Sequence, residues 1–406
     1  MKHKILYLSY TGMTEPLGQS QVLSYLLKMS NEELEFHIIS FEKEEDFFKN
    51  KEVVLNLIKN HNIKWHPLSY TKKPAVLSTL YDIKRATKLA KRLNSQSPFT
   101  IVHCRGYILN SIAVQFKEKY SAKYIFDMRG WWPDEKKESG LWNSIIYKPV
   151  YLYYKKLEKK YFKQADIIVS LTHAGKNKII ELGHSSSDKV KIIPTCVNFD
   201  VFKPFNQKIR EQKRKELKID KNATVFLYSG SVGANYRTDL VIKFYKQLQK
   251  IQENTCLLFL SHSDHSIIYK ELQKANLTTD TIRITSCLYN EVGDYLMVGD
   301  VGMIMYNTGF SVIGRSPTKL GEYWASGLKC LSCEGIGDLT NLLKSYPKGG
   351  ALVKGINASE DEYKRSVKKV LKENVTKEEL REYAINYFDL STGVQRYKEI
   401  YDEILN

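Results

Sequence analysis

The stretch RSPTKLGEYWASGLKCL, from Arg315 to Leu331, sets two cations and one carboxylate around a Ser-Pro-Thr turn. Ser316, Pro317 and Thr318 predict a helix start: Ser or Thr can cap, and Pro in the first turn forfeits only an N–H with no helical partner. The amide donors of that turn, bracketed by Arg315 and Lys319, lie where a helix carries partial positive charge, which makes a seat for phosphate. Glu322, one turn further on, is placed to accept hydrogen bonds from vicinal hydroxyls such as those of a ribose. Phosphate with ribose is a nucleotide. Taken alone, the segment equally fits an ordinary capped helix with two solvated cations.

The chain around this turn has 406 residues, enough for two domains of about 200 residues each with a proper core. Hydrophobic residues make up 43% and charged residues 26%, the balance of a globular protein. The net charge of +17 calls for an anionic partner: nucleic acid, an acidic membrane surface or a phosphorylated ligand. No apolar run approaches the roughly 20 residues that span a bilayer, and MKHKILYLSY reads as a strand rather than a signal peptide, so a cytoplasmic protein is expected. The cysteines at positions 104, 196, 256, 287, 330 and 333 sit mostly in apolar runs, as buried thiols in a reducing compartment do. Cys330 and Cys333 form a C-x-x-C, but KCLSC reads as a buried strand, and no second Cys or His pair stands at zinc spacing.

Short apolar runs alternate with long amphipathic segments, the pattern of parallel strands joined by helices. KILYLSY, EFHIISF, TIVHC, KYIFDM, DIIVSLT and VKIIPT are the expected strands of a first half, with helices such as Gln19 to Met29 and Asp82 to Leu93 between them. TVFLYSG, CLLFLS, TIRITS, VGMIMY and LKCLSC repeat the pattern, after a linker near residues 196 to 210. Doubly wound sheets bind ligands at the carboxyl ends of their strands. There stand TGMTEPLGQSQ after the first strand, DMRGWWPDE after KYIFDM and GSVGANYR after TVFLYS.

Together LGQSQVLSYL (17–26), FDMRGWWPDE (126–135), ADIIVSLT (165–172), KIIPTCVNFDVFKP (191–204), YSGSVGANYRTDL (228–240) and SPTKLGEYWASGL (316–328) resemble the retaining glycosyltransferases of family 4. The resemblance implies an α/β GT-B architecture of two facing Rossmann-like domains with doubly wound parallel sheets and a cleft between them. Residues 1–200 would bind the acceptor, residues 201–385 the nucleotide sugar, and a helix in 386–406 would cross back to the first domain. The family's Glu-x7-Glu pair places its second, ribose-binding Glu on Glu322. Its first Glu, near the donor sugar, falls on Gly314, a departure shared by many relatives that read S-P-T-K-L. The family's His after the fifth strand falls on Arg129, which cannot act as a base near neutral pH and must orient or bind charge. Arg129 with Asp127 is expected at the catalytic centre, or else as an ion pair holding the loop. Gly230, Ser231, Arg237, Ser316 and Thr318 join Glu322 as donor-binding candidates, the register of Arg237 being loose. Gly12, Gly18, Gln19 and Ser20 are the acceptor-side candidates.

No two aspartates stand two residues apart, so a D-x-D metal motif is lacking and no metal or other cofactor is expected. Arg315, Lys319 and the helix amides would then meet the charge of the departing diphosphate. The resemblance implies retention of configuration, with a UDP- or GDP-linked hexose donor and a glycan acceptor, lipid-linked, in bacterial cell-surface synthesis. Lys84, Arg85, Lys88, Lys91 and Arg92 recur at helical spacing opposite Leu80, Ile83, Ala86, Leu89 and Leu93, and YKPVYLYYKKLEKKYFK mixes aromatics with lysines. Both segments suit peripheral contact with an anionic membrane at the inner face of the plasma membrane. A nucleic-acid binder would need a recognised basic module, which is missing. An epimerase or phosphorylase of the same fold, and a non-catalytic nucleotide-binding partner subunit, are the remaining alternatives.

Overall fold

The computed structural model describes residues 3–233, 236–306, 309–355 and 358–406. The chain forms two compact units: Met1–Pro133 with Ile145–Pro194 and Ser391–Asn406, and Asp134–Ser144 with Thr195–Leu390. The junction thus falls at 194/195 rather than after residue 200, and the last segment begins at Ser391 rather than at 386. A feature the sequence did not announce is the strap Asp134–Ser144, which interrupts the first unit and belongs to the second.

The first unit holds a seven-stranded sheet: β1 (His3–Ser9), β2 (Leu34–Glu42), β3 (Ile63–Ser69), β4 (Ile101–Arg105), β5 (Lys123–Asp127), β6 (Ile167–Ser170) and β7 (Val190–Ile192), in the order β3-β2-β1-β4-β5-β6-β7. All neighbours are parallel. Parallel strands are covered on both faces and read as unbroken apolar runs, as β2 does with every residue buried. β3 escaped notice because IKWHPLS is half-exposed and carries Pro67, which lacks the N–H of a ladder and is tolerated on an edge.

The helix expected over Gln19 to Met29 is a π-helical stretch, Gln19–Leu23, between short α-helices at Pro16–Gly18 and Ser24–Met29. The helix expected over Asp82 to Leu93 runs from Leu77 to Gln96. Its buried positions are Ser78, Asp82, Ala86, Ala90 and Asn94; of the expected apolar face Ala86 is among them, Ile83, Leu89 and Leu93 are half-buried and Leu80 is 49% exposed, so the buried face is turned toward Asp82. Asp82 sets this rotation: it accepts hydrogen bonds from Tyr10 Oη (2.9 Å) and Thr71 Oγ1 (2.8 Å), and a buried carboxylate must keep its donors.

The second unit holds β8 (Thr224–Ser229), β9 (Thr255–Leu260), β10 (Ile282–Thr285), β11 (Val301–Ile304), β12 (Lys329–Cys333) and β13 (Gly350–Val353), in the order β10-β9-β8-β11-β12-β13. KCLSC is strand β12, and all six cysteines are buried and free. Strand β13, GALV, is too short for its pattern to stand out from a loop.

The helix Leu390–Leu405 packs in the first unit. Tyr397 donates to Asp127 Oδ2 at 3.0 Å, and Tyr401 Oη lies 2.7 Å from His103 Nδ1. Among the described residues no helix is long and apolar enough to cross a membrane, and no group of three or more His, Cys, Asp or Glu side chains is placed to hold a metal ion.

Candidate active site

Each sheet reverses its strand order beside its first strand, between β1 and β4 and between β8 and β11, where open α/β sheets bind ligands. At the second of these points β8 delivers Tyr228 and Gly230, and the chain beyond β11 delivers Tyr306. Tyr236 bridges to Tyr306. Into this group the helix Thr318–Ala325 projects Lys319.

Lys319 is 7% exposed. Its Nζ lies 4.2, 4.8 and 5.7 Å from the ring centroids of Tyr228, Tyr236 and Tyr306, and among the described residues it has no hydrogen-bond partner. Ring faces attract an ammonium but do not replace its lost hydration. Burial pushes the Lys319 pKa down to about 7, with Glu322 pulling the other way and Arg315 adding to the fall. Burial likewise raises the half-buried Glu322 to about 7, against the Lys319 charge and the Thr318 hydroxyl. Gly230 has φ +104°, and a Cβ there would stand 2.9 Å from Lys319 Cε. Backbone and space both demand glycine beneath the lysine.

Arg315 stacks on Tyr306, 5.1 Å from guanidinium carbon to ring centroid, and its Nη2 lies 2.9 Å from Glu135 Oε1 of the strap. The predicted Ser/Thr cap is absent: Pro317 holds the N-cap position without a side-chain cap bond. Ser316 instead bonds Thr195, whose backbone N lies 3.3 Å and Oγ1 3.0 Å from Ser316 Oγ. Ser231 is exposed, and its carbonyl accepts from Tyr228 Oη at 2.6 Å. Arg237 grips Asp239 bidentately at 2.7 and 2.5 Å, which engages the guanidinium two residues down its own chain. Lys319, Arg315, Glu322 and Gly230 thus come together, while the Arg237 side chain pairs with Asp239. Sequence reading missed the tyrosine cage and the strap's carboxylates; the one signal was the position of Tyr228 and Tyr306 at strand ends.

In the first unit, Gly12 and Gly18 touch. A Cβ on Gly18 would come within 1.9 Å of the Gly12 carbonyl oxygen, and one on Gly12 within 2.6 Å of Glu42 Oε2. Both are buried packing glycines. The loop is anchored by Glu42, which accepts from the Met13 (2.9 Å) and Thr14 (3.0 Å) amides. Gln19 and Ser20 are half-exposed within the π-helical stretch, a distortion found often at functional sites.

Asp127 and Arg129 form an ion pair at 3.6 Å. Asp127 is 1% exposed, and the pair matches the loop-holding alternative stated for these two residues. Burial alone would raise its pKa; Arg129 and His103 overcome this and hold it down at about 2. Arg129 keeps a partly exposed guanidinium and a positive φ of 57°. Arg105 Nε, His103 Nε2 and Asp127 Oδ1 are buried near it without hydrogen-bond partners among the described residues.

Residues 18–201 match the family model described as Glycosyltransferase Family 4. Among curated proteins none matches the chain. Of the solved structures, sucrose-phosphate synthase from Thermosynechococcus elongatus aligns with TM-score 0.73 and 13% identity, covering 100% of this chain and 99% of that one. A glycosyltransferase from Rickettsia africae aligns at 0.66 and 16% identity, covering 100% and 99%. Anabaena HepE in complex with UDP-glucose aligns at 0.70 and 11% identity, covering 98% and 99%. At these identities the structures establish the fold of both units, the GT-B fold.

Proposed function

Starting from a chain whose residues 18–201 are a Glycosyltransferase Family 4 region on a GT-B fold, we propose a retaining, metal-independent hexosyltransferase that uses a nucleotide diphosphate sugar. The observation that carries this reading is the Lys319 ammonium, buried in a tyrosine cage beside Glu322 and lacking a hydrogen-bond partner among the described residues. A diphosphate supplies the missing acceptors, and its charge restores the proton that burial loosens. Glu322 accepts from the ribose hydroxyls. As the sugar–phosphate bond breaks, charge grows on the diphosphate, and Lys319 with Arg315 stabilises it in place of a metal. The diphosphate oxygen takes the acceptor proton on the face from which the sugar leaves, which retains configuration without a separate base.

HepE was solved with UDP-glucose, which favours a UDP-linked hexose as the first donor to try, with GDP-linked donors next. The acceptor in this reading is a lipid-linked glycan of the bacterial cell surface, taken by the first unit near Gly12, Gly18, Gln19, Ser20 and Arg129. Membrane contact is supported by isoleucines exposed at 83% (Ile145) and 77% (Ile146), which lead into the lysine-rich helix Lys148–Gln164. Leu77, Leu80 and Tyr81 are exposed beside Lys84 and Lys88 on the other basic helix.

Chelation tests the metal-free leaving-group chemistry. Turnover of the cognate nucleotide sugar is expected to persist in EDTA. Loss of turnover that magnesium or manganese restores would refute it.

A further inference from the structure

We propose that Glu135 and Glu138, on the strap Asp134–Ser144, are positioning residues of the donor site: Glu135 aims Arg315, and Glu138 fixes the loop that carries it. The inference rests on the reading of Arg315 as a phosphate ligand.

The two carboxylates stand three residues apart on the helix Trp132–Glu138, which places them on one face. Both meet the loop that precedes the helix Thr318–Ala325. Glu138 accepts from Ser311 N, at 3.1 Å to Oε2 and 3.2 Å to Oε1, and from Ser311 Oγ. Gly309 makes room for it: a Cβ there would lie 2.6 Å from the Glu138 carboxyl carbon. A backbone amide, a hydroxyl and a missing side chain together form a seat shaped for this carboxylate.

Four residues beyond Ser311, Arg315 is held on two sides, by Glu135 at 2.9 Å and by the Tyr306 ring at 5.1 Å. Tyr306 also faces Lys319, so carboxylate, guanidinium, ring and ammonium form one continuous array. The contact with Glu135 is made through Nη2, and a guanidinium has further N–H donors to turn toward a phosphate. A long side chain fixed in advance surrenders less rotamer freedom when its ligand arrives.

The strap also accounts for a stretch of chain that leaves the first unit only to return to it. Its acidic side chains Glu135 and Glu138 meet Arg315 and Ser311 within the second unit.

The test is calorimetric titration of UDP and of GDP into the full chain, as wild type, Glu135→Ala, Glu135→Gln, Glu138→Gln, Arg315→Ala and the Glu135→Ala/Arg315→Ala double variant. Glu135→Ala is expected to weaken the tighter-binding nucleotide on the order of tenfold, the scale of one charge-assisted hydrogen bond. Glu135→Gln keeps an acceptor oxygen and recovers part of the loss. Glu138→Gln also weakens binding. In the Arg315→Ala background the Glu135 change has no further effect, a coupling that general loss of structure would not produce. Unchanged or tighter binding by Glu135→Ala, or an equal loss with and without Arg315, overturns the proposal. Wild-type affinity in Arg315→Ala would instead refute the phosphate role of Arg315 itself.

Discussion

At the residue scale, the role proposed for Lys319 can be tested by separating binding from catalysis. A simple phosphate clamp lost from the enzyme raises the donor KM and leaves kcat alone. Because the diphosphate gains charge as it departs, Lys319→Ala is expected to lower kcat by about 10²–10³-fold, the loss seen when one preorganised donor is removed. Arg315→Ala should cost less, since Arg315 stands just ahead of the helix start, where water can replace it. A wild-type kcat in Lys319→Ala, from saturation kinetics, would reduce the turn to a clamp. Protonation gives a second handle. With its pKa pushed down to about 7, free Lys319 loses its proton as pH rises, so affinity for a nucleoside diphosphate falls above about pH 7. Lys319→Arg stays charged and should lack that fall, and titrations from pH 6 to 8.5 on both proteins compare them directly. Glu322→Ala should weaken nucleotide binding by about 1.5–3 kcal/mol per lost bond, and unchanged affinity on a folded variant would remove the ribose assignment. Lys319 and Glu322 were legible because a helix start keeps its chemistry within a few residues. The cage was not, since Tyr228, Tyr236 and Tyr306 converge only once β8 and β11 are neighbours.

At the scale of elements, the strands were readable wherever both faces are buried. The edge strands β3 and β13 gave no such signal, since β3 carries Pro67 and exposed positions and β13 is four residues long, whereas the edges β7 and β10 were read from VKIIPT and TIRITS. The buried face of Leu77–Gln96 was legible in part: Ala86 is buried and Ile83, Leu89 and Leu93 half-buried as the periodicity implies, but no periodicity count registers the one polar anchor, Asp82. Gly12 and Gly18, expected on the acceptor side, also let two backbone segments touch, a packing demand that the sequence did not announce. The helix Leu390–Leu405 is pinned by the Tyr397 bond to Asp127, and Tyr397→Phe leaves that buried carboxylate one donor short. A loss of about 1–3 kcal/mol is expected, read from the shift of the urea midpoint at constant m. An unchanged midpoint would show that the bond is dispensable.

Over the whole molecule, the charge of +17 awaits a partner that neither fold nor family specifies. If anionic lipid is that partner, sedimentation with phosphatidylserine-containing vesicles falls as salt rises, and falls further when Lys84, Arg85, Lys88, Lys91 and Arg92 are replaced by Gln. Each surface cation should contribute about 1 kcal/mol within a Debye length. Equal sedimentation with neutral and anionic vesicles would leave the charge to another ligand. The two-sheet plan was legible in the alternation of elements, whereas the strap was not: nothing in PDEKKESG says that its carboxylates belong to the second unit. The most direct measurement of the proposed function is release of nucleoside diphosphate from a panel of UDP- and GDP-hexoses, run side by side on the wild type and Lys319→Ala. Release from at least one donor by the wild type, cut by about 10²-fold or more in the variant, is the predicted result. No release from any donor, or equal release by both proteins, would contradict a transferase built around Lys319.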